Sequence, residues 1–192
     1  MFESDFVDYF SRTHWSTVPL LYVPAIAGLL YVGLGRGATL GSMALTAVLG
    51  FFAWTLTEYW LHRLVFHWIP AGRWGERFHF ILHGVHHKWP RDRYRLVMPV
   101  AVSISLFWLF LGLFSLLLGN HAFGFHVGFV AGYLFYDLSH YYMHHGHPTS
   151  RWMKELRKHH MVHHSPNYAH EKKFGVSTTL WDHVFGTYGE QL

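Results

Sequence analysis

With 192 residues the chain has room for one ordinary domain, and a make-up that is 51% hydrophobic, 19% aromatic and only 14% charged sets it apart from water-soluble proteins. No cysteine is present, which excludes disulfides, thiolate metal sites, iron–sulfur clusters and cysteine nucleophiles. The net charge of +4 suits a membrane surface better than a nucleic acid, given the long apolar runs, and 19 histidines are several times ordinary usage.

The first sixteen residues carry Glu3, Asp5 and Asp8 and lack the positive start of a secretory signal. Their aromatic residues, Phe2, Phe6, Tyr9, Phe10 and Trp15, fit a short interfacial helix, and a frayed tail is the competing reading. Four apolar stretches follow, over about 17–35, 38–61, 96–118 and 122–143. Each reaches the roughly 20 residues that span a hydrocarbon core. Short links around Gly35–Ala38 and Gly119–His121 make them two helical hairpins, so the expected fold is an all-α, multi-pass membrane protein with four spans. A soluble bundle is the alternative, but the third stretch has no polar face to offer water.

Thirteen of the fifteen Lys and Arg fall in 62–95 and 144–192. With four spans those segments share one side with both termini, and the positive-inside rule makes that side cytoplasmic. The expectation is one integral-membrane domain over 1–192, whose cytosolic helical cap is built from 62–95 and 144–192.

The histidines collect on that same side in four boxes. His62 and His67 leave the second span, and His83, His86 and His87 (HGVHH) follow. His140 and His144 (HYYMH) close the fourth span, and His160, His163 and His164 (HMVHH) follow. On a helix, positions i, i+3 and i+4 share a face, so each HxxHH box is expected to present three imidazoles to one point. His62 and His67 stand about 140° apart on a straight helix and converge only across a helix end or from two sides of an ion. Ten neutral imidazoles exceed what one ion holds and suit two ions at about five each. Imidazole alone does not choose among zinc, copper, iron and nickel. His14, His79, His121, His126, His145, His147, His159, His170 and His183 lie off this pattern and are read as bystanders. Two carboxylates, Glu58 and Asp137, stand one turn before His62 and His140. They are the candidate acceptors for the second N–H of a metal-bound imidazole, with a solvated helix end as the alternative for Glu58.

At these boxes the chain resembles the fatty acid hydroxylase superfamily, which also holds sterol desaturases and carotenoid hydroxylases. HGVHHKWPRDRYRLVMP, YDLSHYYMHHG, HHMVHH and FGVSTTLWDHVFGT are most similar to fatty acid 2-hydroxylases, over about residues 55–190. The resemblance implies that the ten boxed histidines hold two iron ions, with zinc able to take their place in purified material. It further implies that O₂ is consumed and an acyl chain hydroxylated, most directly at C2 of a fatty acid or of a ceramide-like N-acyl chain. Many eukaryotic members carry a cytochrome b5-like domain with an HPGG motif, which this sequence lacks. Electrons are therefore expected from a separate ferredoxin or cytochrome b5 with its reductase. The brevity points to a bacterial inner membrane rather than the endoplasmic reticulum. The alternatives are a carotenoid or sterol-type oxidase of the same superfamily and, from another class, a metal-binding membrane transporter.

Overall fold

The computed structural model describes residues 4–165 and 171–189; His170 and the first three residues lie outside them. A short helix α1 (Asp5–Phe10) precedes two long ones, α2 (Thr17–Gly35) and α3 (Leu40–Leu61). A π-helical turn, His62–Phe66, continues α3. The polar segment beyond it holds α4 (Arg73–His79), a second π turn (Phe80–Gly84) and α5 (Val85–Lys88). Then come α6 (Val100–Leu118), α7 (Ala122–His145), α8 (Arg151–His163) and α9 (Leu180–Val184). The described residues are thus all-helical, as expected.

Among the described residues, three helical stretches are long and apolar enough to cross a membrane: Thr17–Gly35, Leu40–Phe66 and Val100–His145. The last combines α6 and α7, which are joined by a 3-10 turn at Gly119–His121 and pack against each other. Gly119 makes that turn with φ of +55°, in the region glycine enters most easily. The third apolar run starts four residues later than its composition suggested. Pro99 is the cause: it disfavours helix in the residue before it, so Met98 lies outside the helix, which begins at Val100.

The central element is α7, with sixteen of its 24 residues buried. Its glycines 124, 128 and 132 recur every fourth residue and face α3. A Cβ on Gly128 would sit 1.7 Å from the Ala47 carbonyl oxygen, and one on Gly50 of α3 would sit 1.9 Å from that of Phe125. Small residues spaced in this way let two helices approach backbone to backbone, which is how helices adhere where lipid cancels the hydrophobic drive. In contrast, α6 fully buries only Ser103; Phe107, Phe110 and Phe114 are half-buried against the core, and much of the remaining surface faces outward.

The N-terminal segment folds back onto the chain just before α6. Thr13 donates its N–H to the Tyr94 carbonyl at 2.7 Å, and Asp8 pairs with Arg95 at 2.7 Å. Phe6, Tyr9 and Phe10 of α1 stay exposed. Of the described residues before α2, Asp8 of α1 and Thr13 therefore hold this segment to the chain ahead of α6.

The close α3–α7 contact yields a paired test. Gly128→Ala should lower stability by about 1–3 kcal/mol, the usual cost of overpacking. Gly112→Ala in α6, which meets nothing within 4 Å, should leave it unchanged or slightly raised. Thermal unfolding of both variants in the same detergent checks this, and equal midpoints would contradict the contact.

Candidate metal centre

The π turn after α3 resolves the five-residue box. In a π helix the backbone bonds run from i to i+5, and the His67 N–H donates to the His62 carbonyl at 3.3 Å. That extra residue per turn brings His62 and His67 to one face, and their Nε2 atoms stand 3.1 Å apart.

All ten boxed histidines come together, in two sets of five. One set is His62, His67, His83, His87 and His163; the other is His86, His140, His144, His160 and His164. Within each set one nitrogen per residue lies within 4.8 Å of all the others. Nε2 to Nε2 separations are 3.0 Å for His67–His163, His83–His87 and His86–His140, and 2.9 Å for His144–His160. Ligands bound at roughly 2.1 Å to one ion stand about 3.0 Å apart when adjacent and about 4.2 Å when opposite. The donor set therefore fits one metal ion per group.

The HxxHH boxes do not act as triads. His83 and His87 enter the first set while His86 enters the second; His160 and His164 enter the second while His163 enters the first. The reason is angular. At about 100° per residue, i and i+4 lie some 40° apart, whereas i+3 falls to the other side of i, about 100° from i+4. Each half of the chain thus builds four-fifths of one site and lends one imidazole to the other. HYYMH behaves as expected, with both members in the second set.

Burial, followed by the neighbouring imidazoles, holds His83, His86 and His160 well below the usual histidine pKa, and His164 falls to about 2 for the same reasons. They are accordingly neutral at any physiological pH, the form that binds metal.

Backbone carbonyls, rather than Glu58 or Asp137, orient the imidazoles directly. The His62 Nδ1–H donates to the Phe174 carbonyl, and the His163 Nδ1–H donates to that of Lys172 at 2.8 Å. Each bond fixes the tautomer that turns the Nε2 lone pair toward the other nitrogens. Glu58 acts one step further out. Its Oε1 accepts from Val176 N–H at 2.7 Å and Ser177 N–H at 2.9 Å, and its Oε2 accepts from the Ser177 hydroxyl. It is almost wholly buried, so the solvated-end reading of Glu58 fails. Asp137 is also buried, but its Oδ2 and the Nδ1 of His140 both lack a hydrogen-bond partner among the described residues. The expected Asp137–His140 bond is absent, and Asp137 instead walls the adjoining cavity.

Asp182 and His159 were missed in the sequence. Asp182 accepts from Phe174 N–H at 2.9 Å, Gly175 N–H at 2.8 Å, the Thr187 hydroxyl at 2.7 Å and His159 Nε2–H at 3.0 Å. Two carboxylates, one from α3 and one from α9, therefore hold the short loop whose carbonyls aim His62 and His163. Burial pushes the Asp182 carboxyl up, but His159, Thr187 and the Gly175 N–H outweigh it and hold the pKa below the ordinary aspartate value. The only signal in the sequence was an acidic residue inside a Gly- and Thr-containing run, which does not name its partner.

Beside the imidazoles lies a cavity of about 350 Å³ walled by His83, His86, His140, Asp137, Arg95, Ser11 and otherwise apolar residues of the adjoining segments.

The chain matches the family model described as fatty acid hydroxylase over residues 47–187. It is 39% identical over 187 residues to a dihydroceramide fatty acyl 2-hydroxylase of Arabidopsis thaliana, covering 97% of this chain and 78% of that protein. It is 39% identical to a ceramide very long chain fatty acid hydroxylase of Saccharomyces cerevisiae, over 96% of this chain but only 48% of that relative, so it spans about half the latter's length. A solved structure of full-length scs7p, in which only the hydroxylase domain is visible, superposes with a TM-score of 0.88 at 36% identity. That match covers 97% of this chain and 70% of the other. These relatives are eukaryotic and give the bacterial expectation no support.

The carboxylate-held loop generates a residue-specific prediction. Glu58→Gln should speed hydrogen exchange at the Val176 and Ser177 amides, and Asp182→Asn at those of Phe174 and Gly175, by about tenfold or more, since a bond to a charged acceptor contributes about 1.5–3 kcal/mol. The Asp182 contribution should hold at pH 5: its folded pKa is depressed, so the stabilisation is present above the unfolded value and is lost only as pH falls through the folded one. Exchange measured by mass spectrometry decides it, and unchanged rates at these amides would contradict the role of both carboxylates. Family model, relatives and superposed structure converge on the same histidine-bearing segments: this chain belongs to the fatty acid hydroxylase family.

Proposed function

We propose that the protein is a membrane di-iron oxygenase that hydroxylates a lipid acyl chain at C2, either of a fatty acid or of the N-acyl chain of a ceramide-like lipid. One observation carries the reading: ten imidazoles form two five-nitrogen sets beside a largely apolar cavity at the ends of apolar helices. The dihydroceramide and ceramide acyl hydroxylases among its relatives favour the position and the lipid class.

His62, His67, His83, His87 and His163 would hold one iron, and His86, His140, His144, His160 and His164 the other. When bound, the pair supplies the redox chemistry that couples O₂ to insertion of oxygen into an acyl C–H bond, which zinc cannot supply. Zinc still binds such nitrogens more tightly than ferrous iron, so purified protein is expected to carry it unless iron is provided. The chain's own part is placement. Buried neutral imidazoles are held in one tautomer, and apolar walls keep water from the reacting carbon.

Four crossings, with α6 and α7 as separate spans, put the histidines and both termini on the cytoplasmic side. The basic residues of 62–95 and 144–192 support that orientation. The reaction converts an acyl C–H and O₂ to an alcohol and water, taking up two electrons and two protons. These 192 residues contain no dinucleotide fingerprint, haem motif or cysteine. A ferredoxin or cytochrome b5 with its reductase is the proposed donor, drawn to the basic runs Arg91–Arg95, of which Arg95 itself is buried and paired with Asp8 and Asp92, and Arg151–Lys158.

The test is reconstitution of iron-loaded protein in lipid with an acyl substrate, donor, NADPH and isotopically labelled O₂. One labelled oxygen atom should appear on C2, and the rate should fall as salt rises. Label on another carbon, or no product from iron-replete enzyme, would contradict the proposal.

A further inference from the structure

A second, inner pocket of about 30 Å³ lies deeper, among Tyr22, Phe107, Phe110, His126 and Phe129. Met98 and Leu106 line both spaces, so the two adjoin at those side chains. Polar atoms contribute almost nothing to the inner surface.

The packing explains why a gap exists there. The glycines of α7 are committed to α3, which leaves its bulkier side toward α6. That interface is filled by rings, with centroids 4.7 Å apart for Phe107–His126 and 4.8 Å for Phe110–Phe129. Flat rings held tilted or edge to face leave spaces between them that branched aliphatic side chains would fill. From Val102, which walls the outer cavity, to Phe110, in the inner one, the α6 axis descends about 12 Å.

We propose that these spaces are one acyl channel, in which Met98 and Leu106 form a constriction and Phe107, Phe110 and His126 form the floor. The distance from the imidazoles to that floor then selects acyl-chain length. The assignment rests on the acyl-hydroxylase reading above. A chain whose C2 lies against His86 and His140 runs past Val102 and Leu106, and its terminal methylenes enter the inner pocket. Each methylene that finds or loses room in such a pocket changes specificity by about 10–200-fold, so small changes at the floor are measurable.

Two experiments test this, both on iron-loaded protein in lipid. In the first, a fatty acid with a diazirine on its terminal carbon is photolysed without O₂, and the labelled peptides are sequenced. Label should fall on the α6 and α7 peptides containing Phe107, Phe110 and Phe129. In the second, substrates of graded length compete under turnover. Leu106→Trp should shift the product ratio toward shorter chains by about tenfold or more, and Phe110→Ala toward longer ones. Metal content confirms folding of each variant, and Leu106→Phe replaces the tryptophan variant where that loses metal. Label confined to the outer cavity, or an unchanged length ratio in variants with full metal content, would overturn the channel. If the probe labels the inner pocket but the wild type hydroxylates nothing, the channel stands and the proposed reaction falls.

Discussion

Between Ala47 and Gly128 the backbones of α3 and α7 lie so close that one added methyl group would strike a carbonyl oxygen of the neighbouring helix. That approach fixes where the two helices end relative to each other. The end of α3 delivers His62 and, through the π turn, His67; the end of α7 delivers His140 and His144. Two imidazole pairs are thereby set side by side before any of the polar segments is placed. The segments that follow each helix complete the sets, and His86 and His163 cross between them. Neither half of the chain completes its own site, so losing the register between α3 and α7 would disturb both.

The two sets are held differently. His62 and His163 are aimed by carbonyls of a loop that Glu58 and Asp182 grip from opposite sides. Both carboxylates are buried, and they are stable there because backbone N–H groups, a hydroxyl and a histidine satisfy them. In the second set, the Nδ1 atoms of His86, His140 and His160 have no such acceptor among the described residues. His86 and His140 also form part of the cavity wall. The two sets thus differ in the backbone support of their imidazoles, while both meet the cavity: His83 of the first set walls it beside His86 and His140 of the second.

Much of this was legible in the sequence, because it depends on period and composition. Apolar runs of about 20 residues marked the long helices, and histidines spaced by three and four marked helical faces. What stayed hidden depends on backbone detail or on distant partners. The His62–His67 spacing resists an α-helix, and only a π turn makes it useful. The HxxHH boxes look like triads until both sites are considered together, when the 100° between i+3 and i+4 sends one member elsewhere. Glu58 was singled out for its place one turn before His62, but its partners lie 118 and 119 residues away. Asp182 and His159 lie within runs that the sequence singled out, but nothing there names them as partners of each other, and the inner pocket emerged only from how rings pack between α6 and α7.

The crossed pair of five-imidazole sets is the central claim, and metal counting on single variants tests it most directly. Iron-replete protein should hold about two ions per chain. His163→Ala and His86→Ala should each lose about one ion while the remaining site stays filled, and the double variant should lose both. His126→Ala should keep two. One ion or none in the intact protein, or full occupancy in both single variants, would contradict the account.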